Sequence, residues 1–284
     1  MLRRGPGTIL TAHKMDPNRR ELYVEGTKDR AFLKWISGHN LDSNTTVQII
    51  DSVDMADVDQ GGNRQRLIDF LRTVEDAQVQ IRGLIDLDHG KFVEETYPVN
   101  SWVTDYRDME GYVLGVSNIE KALKLGYGIE MVDAHKVFNA MCVVAKYLTA
   151  VRLSSQLNSW RLPVSEINLR KYVKADSQGG ISIDKEKIIK ALLQAAEISL
   201  TRMTKVVNTI QETIQNIDAE DPVFVCHGKD AMKLLSVQFK ALGVPNVSDV
   251  SPIIWTTFDP ISLRALPNLN QAVAFLLNKS AIEN

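Results

Sequence analysis

The sequence predicts an α/β protein: a mostly parallel sheet flanked by helices, with a large helical insertion. Three observations carry that expectation. Between residues 21 and 111, short apolar runs alternate with stretches of helical periodicity. Strands separated by helices of about ten residues imply parallel pairing through right-handed crossovers. From 112 to 218 the pattern turns to long amphipathic helices, and strand character returns near 222.

Residues 1–20 read as an N-terminal arm or an edge strand around 7–13, closed by a polar turn at Pro17 and Asn18. Residues 21–111 form the first part of the sheet domain. It starts with a strand at 21–24 and a helix at 29–36 that turns Phe32, Leu33, Trp35 and Ile36 inward. A second strand follows at 47–50. Gly61, Gly62 and Asn63 then introduce a helix with Leu67, Ile68, Leu71 and Val74 at helical spacing. Further strands are expected at 79–86 and 101–104.

The insertion, 112–218, holds helices at 119–125, 132–157 and 185–217, with a loop over 163–180. Met141, Val144, Ala145, Leu148 and Val151 trace one apolar stripe. Ile188, Leu192, Ala196, Leu200, Met203, Val207, Ile210 and Ile214 trace another. Helix packing is the favoured account of both, and a partner-binding face the alternative. Residues 219–284 complete the α/β domain with a strand at 223–226, a helix at 231–242, and short helices near 261–266 and 271–277.

Composition narrows the function classes. A chain of 284 residues with 44% hydrophobic content can bury one large core or two modest ones. The net charge of −2 means that nucleic acid would have to be held by a local basic face. Cys142 and Cys226 have no ligand spacing, so they read as free thiols in a reducing cytoplasm and not as a zinc site. Gly5, Pro6 and Gly7 follow Arg3 and Arg4 where a secretory leader would turn apolar. No run approaches the roughly 20 apolar residues of a membrane span. A cytoplasmic protein without a membrane partner is expected.

The chemistry-bearing residues are acids placed after apolar runs. Glu25 follows Leu22-Tyr23-Val24 and precedes Gly26, with Asp29 beyond as a helix cap. Asp86 and Asp88 follow Leu84-Ile85; alternation along a strand would send both to one face. Carboxylates gathered at a sheet rim repel one another, and burial raises their pKa, unless a cation joins them. Mg²⁺ takes one or two protein carboxylates and leaves positions for phosphate oxygens. Glu110 is a candidate further ligand, while Thr104, Asp105 and Asp108 read equally well as caps. Arg107 is among the basic residues placed to hold a phosphate backbone. His89, beside Asp88, reads as a loop residue. His227-Gly228-Lys229-Asp230 opens a helix with a lysine that opposes the dipole, which implies an anion nearby. It is not a Walker loop: Val223 stands where the first glycine belongs, and Asp230 replaces the Ser/Thr.

Taken together, Val24-Glu25-Gly26 with Asp29 and Phe32, Ile85-Asp86-Leu87-Asp88, the run from Thr104 to Leu114, and His227-Gly228-Lys229-Asp230 resemble the DUF4435 family, a branch of the Toprim fold. The resemblance covers most of the chain, including the insertion. It is similar to the Toprim nuclease effectors of the PARIS anti-phage defence system, which an ABC-type ATPase partner restrains. The resemblance implies a Toprim-like sheet in which Asp86 and Asp88 coordinate Mg²⁺ or Mn²⁺. Glu25 would ligate metal or act as general acid/base, Glu110 would supplement the ligands, and Lys229 would stabilise the phosphorane or leaving group. It further implies cleavage of nucleic acid, with RNA (tRNA among the candidates) ahead of DNA, and an ABC-type ATPase acting in trans. The long helices would serve homodimerisation or docking on that partner.

Two other readings stay open. Phosphatases of the haloacid dehalogenase type also start from Asp-x-Asp after an apolar strand, although their aspartates end the first strand and Gly90 here departs from their pattern. A non-catalytic interaction or sensor subunit would use the helical block and leave the acidic cleft empty.

Overall fold

The protein is described by a computed structural model covering residues 3–38, 41–55 and 62–279; Gly61 and the chain ends at 1–2 and 280–284 lie outside the described residues. Two compact units emerge, Met1–Met109 with Asp259–Asn284, and Glu110–Phe258. The first unit contains α1 (Pro6–Met15), β1 (Arg20–Val24), α2 (Thr27–Ile36), β2 (Thr45–Ile49), α3 (Gly62–Val74), β3 (Ile81–Ile85) and β4 (Ser101–Val103). The second contains α4 (Val116–Lys121), α5 (Ala134–Leu157), β5 (Val173–Ala175), β6 (Ile181–Ile183), α6 (Lys185–Ala195), α7 (Met203–Ile217), α8 (Pro222–Val225), α9 (Gly228–Ala241) and α10 (Ser251–Trp255). The chain then returns to the first unit as α11 (Pro267–Leu277).

The α/β class holds. Four parallel strands run in the order β2-β1-β3-β4. The β1-to-β2 and β2-to-β3 steps move in opposite directions along the sheet, so right-handed crossovers put α2 and α3 on opposite faces. The direction reverses between β1 and β3, and in open sheets of this kind ligands bind at such a switch point, outside the carboxyl ends of the strands.

Alternation along the strands assigns the faces. Tyr23 of β1 packs on Phe70 of α3 with ring centroids 4.7 Å apart. Leu67, Phe70, Leu71 and Val74 of α3 join Ile81, Ile85 and Ile9 in one buried cluster, each large side chain stabilising by roughly 1.5–3 kcal/mol. Gly83 lets α3 approach: a Cβ there would lie 2.3 Å from Leu71 Cδ1. Gly83→Ala should therefore lower stability by about 1–3 kcal/mol through overpacking, read as a drop in denaturation midpoint; an unchanged midpoint would contradict this packing. On the opposite face, Trp102 meets Phe275 of α11 edge-on at 5.8 Å and donates to Gln271 Oε1 at 2.7 Å. Asp105, one of the expected caps, caps this distant helix by accepting from Asn268 N and Leu269 N, both at 2.9 Å.

The N-terminal segment corrects the expectation of an arm or edge strand. Residues 6–15 form α1, because Pro6 sits at a first helical turn, where its missing N–H costs nothing. Ile9 and His13, four apart, share its buried face. Glu21, at the start of β1, is 0% exposed. It accepts from Arg4 Nη2 at 3.2 Å, Arg19 Nη2 at 2.6 Å and Tyr23 OH at 2.7 Å, with His13 Nε2 3.5 Å away. Burial would raise its pKa, but the contacts from His13, Tyr23 and Arg19 and the charge of Arg4 outweigh that and hold it well below the ordinary carboxylate range. Trp35 is another correction: it is half-exposed (49%), while Phe32 and Leu33 carry the packing of α2.

In the second unit the expected stripe on α5 is buried, from Met141 to Val151, and α5 packs against α4, α7, α8 and α9. By length and composition α5 could cross a membrane, contrary to the expectation that no segment would. However, 67% of its most apolar window is buried inside the protein, which accounts for its hydrophobicity as core packing. The expected helix over 185–217 is two helices, broken where Glu197 adopts φ +56° and Ser199 caps the next turn; Leu200 and Val207 of that stripe are consequently exposed. The expected loop over 163–180 contains half of the β5–β6 hairpin, turned at Gly179 with φ +86°.

The expected strand at 223–226 is instead the single helical turn α8. Asp221 caps it by accepting from Val223 N at 3.1 Å, and Pro222 starts it. Four apolar residues fit either structure by pattern alone, and the cap decides. Residues 222–258 therefore stay with the helical unit, and the return to the sheet unit comes at Asp259 rather than 219. Cys142 and Cys226, distant in sequence, are buried free thiols, with Cys226 Sγ 3.9 Å from Cys142 O.

Candidate functional site

Glu25 and the 86–90 turn meet at the carboxyl ends of adjacent strands. Tyr23 of β1 is in register with Gly83 of β3, so two residues further on Glu25 comes level with Ile85, just before Asp86. β1 ends at Val24 and α2 begins at Thr27, with Gly26 as its N-cap; Asp29 reaches back to accept from Gly26 N at 2.8 Å. That is the capping role expected of Asp29. Across the switch point, Asp86 N donates to Glu25 Oε1 at 3.2 Å.

The turn after β3 is pinned amide by amide. Leu87 N donates to Thr104 Oγ1 at 3.0 Å. Asp88 N donates to Arg107 O at 2.7 Å, and Gly90 N closes the turn by donating to Leu87 O at the same distance. Asp88 sits at φ +51°, a left-handed conformation that aspartate tolerates better than most residues and that often marks functional sites. This corrects one expectation: β3 ends at Ile85, so Asp86 and Asp88 belong to a turn, and strand alternation does not orient them.

The first turn of α3 completes the rim. Asn63 Nδ2 donates to Glu25 O at 2.9 Å. Arg64 Nε donates to Asp86 O at 3.0 Å and lies 3.7 Å from Asp88 Oδ2. Its other nitrogens engage Glu95 and the Tyr97 hydroxyl. Burial pushes the Glu25 carboxyl up to about 7. The hydrogen bond from Asp86 N–H and the charge of Arg64 oppose that rise, and the charges of Asp88 and Asp29 add to it. Near neutral pH, Glu25 can therefore both hold and release a proton.

The remaining expected site residues fall elsewhere. Arg107 is 1% exposed, and its Nη2 lies 2.8 Å from His89 Nε2. Buried in this way it braces the 86–90 turn, which corrects its expected role as a substrate-binding residue. Glu110 and Lys229 belong to the second unit, Glu110 buried in the turn Met109–Val113 and Lys229 exposed in the first turn of α9. Beside Lys229, the buried Asp230 pairs with Arg152 Nη2 at 2.8 Å. Asn63 and Thr104 as parts of the rim escaped the sequence reading, and Arg64 stood there only among the basic residues near the mouth that could hold a phosphate backbone. The only signal for Asn63 was its place at the start of a helix that follows a strand.

Among the described residues no three His, Cys, Asp or Glu groups stand together as a ready metal cage. The donors at the rim are nonetheless hard carboxylate oxygens, and the proton affinity of Glu25 is raised first by burial, with the charges of Asp88 and Asp29 adding to it. That donor set suits Mg²⁺ or Mn²⁺, which bind through one or two carboxylates and complete their shells with water and phosphate. In comparisons with known proteins, no family model and no curated protein matches this chain.

Proposed function

We propose that this protein is a metal-dependent nuclease of the Toprim type that cleaves phosphodiester bonds in nucleic acid, RNA ahead of DNA. The observation that carries the reading is the contact between Glu25 and Asp86 across the β1/β3 switch point, with Asp88 in the same turn. Asp86, Asp88 and Glu25 would hold Mg²⁺ or Mn²⁺, which supplies charge stabilisation at a phosphoryl oxygen and lowers the pKa of bound water. Glu25 holds or accepts a proton near neutral pH. Thr104 and Arg107 keep the aspartate turn in place through its backbone. Lys229 and Glu110 enter this reading through the sequence resemblance. So do the role as a toxic effector in anti-phage defence, the cytoplasmic setting and the ABC-type ATPase partner.

The phosphatase alternative is disfavoured because the Asp-x-Asp turn follows β3 and not β1. Incubating the purified chain with RNA and DNA oligonucleotides and with a small phosphate ester separates the readings. Cleavage of an oligonucleotide that requires Mg²⁺ or Mn²⁺ and stops with EDTA is expected, with the ester left intact. Turnover of the ester alone would favour the phosphatase, and no reaction with any substrate would favour the non-catalytic subunit.

A further inference from the structure

Arg64 carries an inference that rests on the metal site proposed above. Its guanidinium is shared between two acids. On one side Nε stands 3.7 Å from Asp88 Oδ2 and donates to Asp86 O at 3.0 Å. On the other, Nη1 donates to Glu95 Oε1 at 3.2 Å, and Nη2 donates to Glu95 Oε2 and to Tyr97 OH. Tyr97 OH in turn donates to Glu95 Oε2 at 2.7 Å, which fixes that carboxylate. The contacts are far from equal: a paired, charge-assisted set towards Glu95, and a longer single approach towards Asp88.

A guanidinium so close to Asp88 offsets the charge that a divalent ion would use, and like charges repel once both are present. Glu95 offers the guanidinium a second counter-charge that does not belong to the proposed ligand set. We infer that Arg64 is a positioning residue that competes with the divalent cation for Asp88, and that Glu95 weakens this competition by drawing the guanidinium towards itself. In the metal-free protein Arg64 balances the aspartate turn; when a cation enters, Glu95 and Tyr97 hold the displaced charge.

The two partners should therefore have opposite effects on metal affinity, which general damage to the site would not produce. Mn²⁺ binding to the full chain, followed by electron paramagnetic resonance, reads this without any assay of activity. Arg64→Gln should tighten binding about tenfold, and Glu95→Gln should loosen it about tenfold. Equal or same-direction shifts would overturn the inference while leaving the metal site standing. If Arg64→Gln does not fold, as judged by circular dichroism, Glu95→Gln decides alone: looser binding supports the competition, and unchanged or tighter binding overturns it. Asp86→Asn and Asp88→Asn serve as the separate control. Mn²⁺ binding that is absent, or indifferent to both, would remove the metal reading and this inference with it.

Discussion

Glu25→Gln should abolish metal-dependent cleavage and, in the same preparation without metal, make the protein more stable above neutral pH. The two effects have one origin. Burial and the charges of Asp88 and Asp29 hold the carboxyl at about 7, so ionising it in the folded, metal-free protein is unfavourable. Its contribution to stability is fully present below the ordinary carboxylate pKa and is lost as pH rises through about 7. Glutamine mimics the protonated acid, and its amide oxygen can still accept the Asp86 N–H. With EDTA present at pH 8, the variant should exceed the parent by on the order of 2 kcal/mol, and near pH 4 the two should converge. Activity should fall by at least about 10³-fold, because a neutral amide neither ligates a hard cation well nor exchanges a proton. Urea melts across that range check the first effect, and oligonucleotide cleavage checks the second. A stability difference independent of pH would refute the buried-acid account, and full activity would refute the site.

Glu21→Gln should do the reverse to stability. Glu21 and Glu25 lie four residues apart along the chain, yet their environments shift their proton affinities in opposite directions. Arg4, Arg19, His13 and Tyr23 surround the first; the second is governed by burial, with the charges of Asp88 and Asp29 adding to it. Replacing a buried, paired carboxylate leaves its partners uncompensated, a loss of about 3–5 kcal/mol in fully buried pairs. Since Arg4 and Arg19 are each 30% exposed, water recovers part of that, and about 3 kcal/mol is expected. The glutamine amide also turns an N–H₂ towards groups that donate.

The pH dependence follows from the lowered pKa of Glu21. Its stabilisation is complete above the ordinary carboxylate range and is lost as pH falls below about 4.5. The parent should therefore lose stability towards acid more steeply than Glu21→Gln. Parallel acid profiles for the two would show that the cluster does not hold Glu21 charged. The loss should also loosen α1, because Arg4 and His13 flank or belong to that helix; faster amide hydrogen exchange at residues 6–15 would report it.

Much of the first unit was legible because its signals are local and agree with one another. β1, α2, β2, α3 and β3 each show the periodicity of their own element, and alternation of strand with helix implies parallel pairing. The acids at the ends of β1 and β3 were legible as ends of apolar runs. Misreadings came where short segments carried no period long enough to discriminate. Gly5 and Gly7, on either side of Pro6, suggest an extended chain where α1 forms, and the apolar run from Val223 to Cys226 suggests a strand that the cap at Asp221 rules out. The break between α6 and α7 depends on a single left-handed residue, Glu197, inside an otherwise continuous stripe.

The order of apolar and polar residues by itself determined the class of the fold, the succession of its sheet elements and the positions of Glu25, Asp86 and Asp88 along them, since burial of apolar faces sets local periodicity. Tertiary structure decided what those acids meet. Pairing of β1 with β3 brings Glu25 to Asp86, and packing of α3 delivers Arg64 and Asn63 to the rim. Asp88 is turned by contacts with Arg107. Such contacts join residues up to 61 positions apart; their strength depends on burial and distance in space, which a linear pattern does not encode.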